Sequence, residues 1–251
     1  MLCLAAFYYI RRSILPRYAS FYAFLCIVII MSTGHAQDEE GFSGRAGLGY
    51  IATNGNSESR SLNADFSSWW NYDSWSHSLS GLTIKSSASN TTTAEAYSLA
   101  WQNSYAINDT DYLYGIIALD KNHFSTYNQQ TREAIGYGRR FINLANHFLD
   151  GEIGVGIRQA TLSNDQDQDE TILRLSGDYR WIVSETSEFT QTLALEGGSE
   201  NIYIEMVSAL SANVRENLAL VTSYTIRNNT DVLPGTEKTD IFTAISLEYI
   251  F

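Results

Sequence analysis

From Asp240 to its last residue the chain alternates without a break. Ile241, Thr243, Ile245, Leu247, Tyr249 and Phe251 form one row; Asp240, Phe242, Ala244, Ser246, Glu248 and Ile250 form the other. A period of two marks an extended strand whose faces meet different surroundings. The rhythm recurs upstream. Leu218, Leu220, Thr222, Tyr224 and Ile226 are set against Ala219, Val221, Ser223, Thr225 and Arg227. Leu173, Leu175, Gly177, Tyr179 and Trp181 are set against Arg174, Ser176, Asp178 and Arg180, and Leu62, Phe66 and Trp70 against Asn63, Asp65 and Ser67.

About twelve such segments can be traced: 43–53, 58–71, 75–86, 93–107, 111–121, 128–142, 147–160, 169–183, 187–198, 201–214, 217–228 and 238–251. The third and fourth alternate less cleanly, which leaves ten as the alternative count. Each is long enough for the ~9–11 residues of a tilted membrane-spanning strand. Tight turns are expected near 72–73, 108–109, 143–146, 184–186 and 215–216, and longer polar links near 53–57, 87–92, 122–127, 161–168 and 229–237. Short turns on one side and long loops on the other are the asymmetry of outer-membrane barrels. After residue 36 no run of 18 apolar residues exists, so helical spans are excluded, whereas a barrel needs only alternation. The fold expected is therefore all-β, an antiparallel transmembrane β-barrel over 37–251. A secreted β-sandwich would also alternate. Long strands, only 2 Pro and large uncharged apolar rows count against it.

Residues 1–36 read as a signal peptide cleaved after Ala36. Arg11, Arg12 and Arg17 precede an apolar run from Phe21 to Met31, then Ser32, Thr33, Gly34, His35 and Ala36. This is the basic, apolar, small-residue order of a secretory signal, and its apolar run is shorter than the ~20 residues of a spanning helix. Export directs the chain to the bacterial outer membrane. Both cysteines, Cys3 and Cys26, fall in this segment, which leaves no thiol for a disulfide, a nucleophile or a metal site in the remainder. The same segment holds three of the 16 basic residues and no acid, so the remainder carries 13 basic against 28 acidic side chains, a net charge of −15. A phosphate-binding surface needs the opposite sign, so no nucleic acid partner is expected.

The charged residues of the clean strands lie opposite the aliphatic rows: Asp65, Asp150, Glu152, Arg158, Arg174, Asp178, Arg180, Glu205, Arg227 and Glu248, joined by Arg132 and Arg140. In a barrel that face is the lumen, because an Arg near the lipid midplane costs ~2–4 kcal/mol. Opposite signs at close range favour cross-strand pairing into a filled, stiffened interior. The other reading is an aqueous path that biases which ions pass.

Gly47, Gly49, Gly136, Gly138, Gly154 and Gly156 recur at spacing two. No helix follows them, so they are not nucleotide loops; they permit curvature or make room for a bulky neighbour. Asp165, Asp167, Asp169 and Glu170 form an acidic run in an expected outer loop. Glu170 at the sixth and Ser176 at the twelfth position exclude an EF-hand. His77, His123 and His147 stand in no metal-ligand spacing, and no Ser sits in a nucleophile elbow. No catalytic residue, metal or cofactor is therefore assigned, and the chain is not read as an enzyme. Two alternatives stay open: a lipid-modifying hydrolase with a Ser–His pair on the outer wall, and a surface binding module using the acidic loops.

The stretches Thr53-Asn54-Gly55-Asn56-Ser57, Ser61-Leu62-Asn63-Ala64, Thr93-Ala94-Glu95-Ala96-Tyr97, Gly136-Tyr137-Gly138-Arg139-Arg140 and Gly154-Val155-Gly156-Ile157-Arg158 come in a particular order. The tail from Ser223 to Phe251 follows. Together they resemble the family of salt-induced outer-membrane proteins, a domain family of unknown function, over roughly 41–251. The resemblance implies a barrel in outer-membrane lipid and no established activity. The ending Leu247, Tyr249, Phe251 resembles the C-terminal signal read by the outer-membrane assembly machinery, with Ser246 where Gly is common. The function expected is that of a structural component or small passive pore connected with salt or osmotic stress.

Overall fold

A computed structural model describes residues 41–53, 59–88 and 91–251. The expected signal peptide and its cleavage point, both cysteines, and residues 54–57 and 89–90 of the expected links lie outside the described residues, while the rest of the expected 87–92 link is strand. Twelve strands follow one another: β1 (Gly41–Thr53), β2 (Ser59–Tyr72), β3 (Trp75–Ala88), β4 (Thr91–Ala106), β5 (Asp111–Asn122) and β6 (Tyr127–Asn143). They continue with β7 (His147–Leu162), β8 (Asp167–Ser184), β9 (Ser187–Gly197), β10 (Ile202–Arg215), β11 (Leu218–Asn229) and β12 (Thr239–Ile250). Every strand pairs antiparallel with its sequence neighbours, and β12 returns to β1, so the sheet is a closed barrel. The count of twelve is the one the alternation gives, and the less regular third and fourth segments are full strands.

Register fixes which side chains share a face. Arg45 lies opposite Ser67, Asp65 opposite Leu82, Leu82 opposite Ser98, and Ser98 opposite Asp120. Hydrogen bonds between distant strands identify this face as the inside: Gln102 on β4 reaches Glu152 on β7, and Arg132 on β6 reaches Glu196 on β9. The other face carries Leu48, Ile135, Val155, Leu173, Leu220, Ile245 and Leu247, all solvent-exposed large hydrophobics. A soluble protein buries such a surface, whereas lipid covers it. Among the described residues no helix is long and apolar enough to cross a membrane.

One end of the barrel is closed by short turns at 73–74, 107–110, 144–146, 185–186 and 216–217. Asp73 supports the first of these with a φ of 51°. At the other end the described loops are 123–126, 163–166, 198–201 and 230–238. The contrast in length is smaller than expected, and only the last loop is long. The expected loop over 161–168 is largely strand: β7 runs to Leu162 and β8 begins at Asp167, with Thr161 Oγ1 donating to Asp167 Oδ1 at 3.0 Å. Asp167, Asp169 and Glu170 therefore belong to a ladder, not to a free acidic loop.

Gly136, Gly138 and Gly154 make room for tyrosine rings, whereas Gly47, Gly49 and Gly156 let polar side chains or neighbouring backbone approach. Gly136 and Gly154 face each other across β6 and β7. A Cβ at either would meet the Tyr114 ring or hydroxyl and a neighbouring carbonyl. Gly138 receives the Tyr112 ring in the same way. Gly136→Val should lower barrel stability by ~1–3 kcal/mol through overpacking. The check is the temperature at which the compact, unheated band is lost on a gel; an unchanged temperature would refute the packing role.

Candidate functional site

The inside of the barrel divides into two levels. Near the turn end the inward residues Ser43, Ser80, Asp178 and Arg180 are exposed, whereas Ala219 and Glu248 on β11 and β12 are buried, so this half is open on one side only. Near the loop end Arg158, Ile172 and Asn201 each retain 1% exposure. Side chains, not backbone, fill this upper half.

Four arginines organise it. Arg158 on β7 pairs with Glu170 on β8, its Nε donating to Oε1 at 2.9 Å, and its Nη2 donates to the Asn201 carbonyl at 2.6 Å. Arg132 on β6 pairs with Asp120 on β5 and reaches Glu196 on β9 at 3.2 Å. Arg174 on β8 pairs with Glu152 at 2.8 Å and lies 3.9 Å from Glu196. Glu196 also stands 3.8 Å from Arg158. One carboxylate is thus shared by three guanidiniums, each of which has a second acid of its own. Arg227 on β11 pairs with Glu205 at 2.5 Å and donates to Ser98 Oγ on β4 at 3.4 Å, which carries the network across the lumen.

Tyrosines fill the gaps. Arg174 lies over the Tyr114 ring and Arg132 over Tyr203, with 5.4 and 5.1 Å to the centroids. Tyr112 and Gln102 both donate to Glu152 Oε1, at 3.1 and 2.7 Å. Buried charges persist only when paired and hydrogen-bonded, and this arrangement meets that condition nearly throughout. Arg158 Nη1, Arg132 Nε and Glu196 Oε2 are the exceptions: buried, with no hydrogen-bond partner.

The lower level holds the remaining expected residues. Arg180 lies 4.0 Å over the Phe148 ring and pairs with Glu188 at 3.4 Å. Arg140 Nη1 donates to the Asp109 carbonyl at 3.2 Å, at the turn end. Asp150 and Asp178 face each other across β7 and β8. Asp65 and Glu248 flank Gly47 on the opposite wall, with Arg45 4.0 Å from Glu248. Asp65, Arg132, Arg140, Glu152, Arg158, Arg174, Asp178, Arg180, Glu205, Arg227 and Glu248 thus share the inward face in register, but at two levels.

Sequence reasoning missed Asp120, Glu170, Glu196 and Arg45. Glu170 closes an acidic run that reads as a loop, although it follows the even-numbered inward row of β8. Asp120 and Glu196 lie on strands whose alternation is diluted by small residues. Glu133 breaks the partition: it is an outward residue in register with Ile117 and Ile157, and nothing in the structure explains it.

The histidines lie elsewhere. His147 Nδ1 and the Tyr179 hydroxyl are 2.8 Å apart on the outer wall, with Trp181 stacked beside them. His77 stacks between Trp70 and Trp101, and its Nδ1 has no hydrogen-bond partner. These rings belong to an aromatic girdle at the turn end. The Ser–His contact that the hydrolase alternative needs does not form at either residue. No group of acids and histidines capable of holding a metal occurs among the described residues.

The terminal row lies on the closing seam. Phe251 N–H donates to the Gly44 carbonyl at 2.9 Å and Gly44 N–H to the Phe251 carbonyl at 2.8 Å. The Phe251 ring rests 5.8 Å from Phe42 and 6.3 Å from Tyr249.

If the network holds the upper lumen, Glu170→Ala should cost ~3–5 kcal/mol, because it strands the Arg158 charge in a buried place. Urea unfolding in lipid or detergent would measure this, and an unshifted midpoint would contradict it.

Comparison with known proteins adds relatives. The chain is 28% identical over 215 residues to the uncharacterized protein YdiY of Escherichia coli (strain K12), covering 85% of both chains. Among solved structures it is similar to the NanC porin, with a TM-score of 0.47, 7% identity and coverage of 84% of this chain and 98% of that one. It is also similar to the translocator domain of the autotransporter NalP from Neisseria meningitidis, with a TM-score of 0.48, 9% identity and coverage of 93% and 96%. The family described as "Protein of unknown function, DUF481" matches residues 46–251, and the chain belongs to it.

Proposed function

We propose that this chain is an outer-membrane barrel acting as a narrow passive pore, held nearly shut by the arginine–carboxylate network. The observation that carries this reading is the two-level lumen. A polar lower half, open along Ser80, Asp178 and Arg180, meets a constriction made of movable side chains around Glu196. Constrictions built from charged side chains bias which ions pass and yield to small rearrangements. The lipid-facing rows support insertion, and the ending Leu247, Tyr249, Phe251 is the segment through which the assembly machinery would engage the chain. An osmotic or ionic-stress setting belongs to the same proposal and rests on the resemblance alone.

A second reading, a purely structural barrel, is favoured by the near-complete burial of Arg158. Planar-bilayer recording separates the two. The pore reading expects small discrete steps from the refolded barrel, and steps at least ~2-fold larger for Glu196→Ala, which removes the shared carboxylate at the constriction. Absence of steps from both proteins would leave the structural reading.

A further inference from the structure

We propose that the 230–238 loop is a lid, latched by Leu233, that closes the loop-end mouth of the barrel. Only its consequence for conduction rests on the pore reading. In the ring of twelve strands β6 lies opposite β12, so a loop that leaves β11 and reaches β6 and β7 must cross the mouth.

The loop is rooted on its own side. Thr230 N–H donates to the Ile202 carbonyl at 3.1 Å, and Asn229 N–H to the Lys238 carbonyl at 2.9 Å. Lys238 Nζ donates to the Thr230 carbonyl at 2.7 Å. Asp231 N–H donates to Asn201 Oδ1 at 3.1 Å, and Asn201 Nδ2 donates to Asn229 Oδ1 at 2.8 Å.

The far end is held by much less. Leu233 packs against Tyr127, Ala160 and Leu162, and its N–H donates to Thr126 Oγ1 at 3.0 Å. Thr236 N–H then donates to the Leu233 carbonyl at 3.1 Å, and Gly235, at a φ of 91°, turns the chain back. A segment with a dense root and a sparse tip opens at the tip. The closed position also buries the Tyr127 hydroxyl without a hydrogen-bond partner. An unpaired buried hydroxyl is costly, and water entering on opening would satisfy it. Asn201 links lid to network, since its side chain holds the loop root and its carbonyl receives Arg158. Lid and network therefore close the lumen in series.

The test uses the absence of cysteine beyond residue 26. In Ala160→Cys the thiol sits under the latch. Its labelling by a membrane-impermeant maleimide should quicken at least ~10-fold when Thr126→Val removes the acceptor for Leu233 N–H. An unchanged rate would overturn the lid. In Leu233→Cys/Ala160→Cys, oxidation should suppress conductance steps and reduction restore them. Steps that persist unaltered after verified crosslinking would also overturn the lid while leaving the pore intact. Faster labelling in a protein that never conducts would support the lid and remove the pore.

Discussion

A strand in lipid has no water for its backbone, so the sheet must close on itself. That requirement underlies everything else in this barrel. The seam between β1 and β12 runs from Arg45 opposite Ile250 to Leu48 opposite Leu247, and the exchange between Gly44 and Phe251 extends it to the final residue. Once the ring is closed, residue parity decides the fate of every side chain. Odd residues of β12 face lipid and even ones face the lumen; a slip of one residue would exchange Leu247 for Glu248 on the oily side.

The interior then poses a different problem. A lumen of twelve strands is too wide for short side chains to fill, and long charged ones fill it here. Buried ion pairs are not a strong source of stability, because well-packed apolar residues of equal volume often do as well. A plug of leucine and phenylalanine would have sealed this barrel. The chain instead places Arg132, Arg158 and Arg174 around Glu196, above a lower half that is open along Ser80, Asp178 and Arg180. Polar filling keeps a hydrated route within a side-chain rearrangement of being continuous, and this physical reason favours a restricted pore over an inert wall. The girdle of His77, His147 and their aromatic neighbours marks the opposite boundary, where one edge of each ring meets headgroups and the other acyl chains.

Much of this was legible in the sequence, because membrane and lumen impose opposite demands at alternate positions. Strand number and the order of strands around the ring followed from alternation, although the strands run further into the expected links at 87–92 and 161–168. Four features did not. Glu170 was hidden because the acidic run of 165–170 looks like a loop, and only the ladder to β7 shows it as an inward residue paired with Arg158. The hub at Glu196 depends on strands far apart in sequence, and no local pattern reports which acid three arginines will share. The path of the 230–238 loop depends on Leu233 finding a site on β6 and β7, contacts between segments as much as 107 residues apart. Glycine pairs were readable as space, but the rings that occupy it, Tyr112 and Tyr114, were not.

The central claim is that oily rows face lipid while charged rows face the lumen. A nitroxide scan along β8 from 173 to 180 in bilayers tests it most directly. The account predicts that 173, 175, 177 and 179 are reached by membrane-dissolved oxygen, and that 178 and 180 are reached by a water-soluble nickel complex. Accessibility without a two-residue period, or odd positions shielded from both reagents, would contradict it.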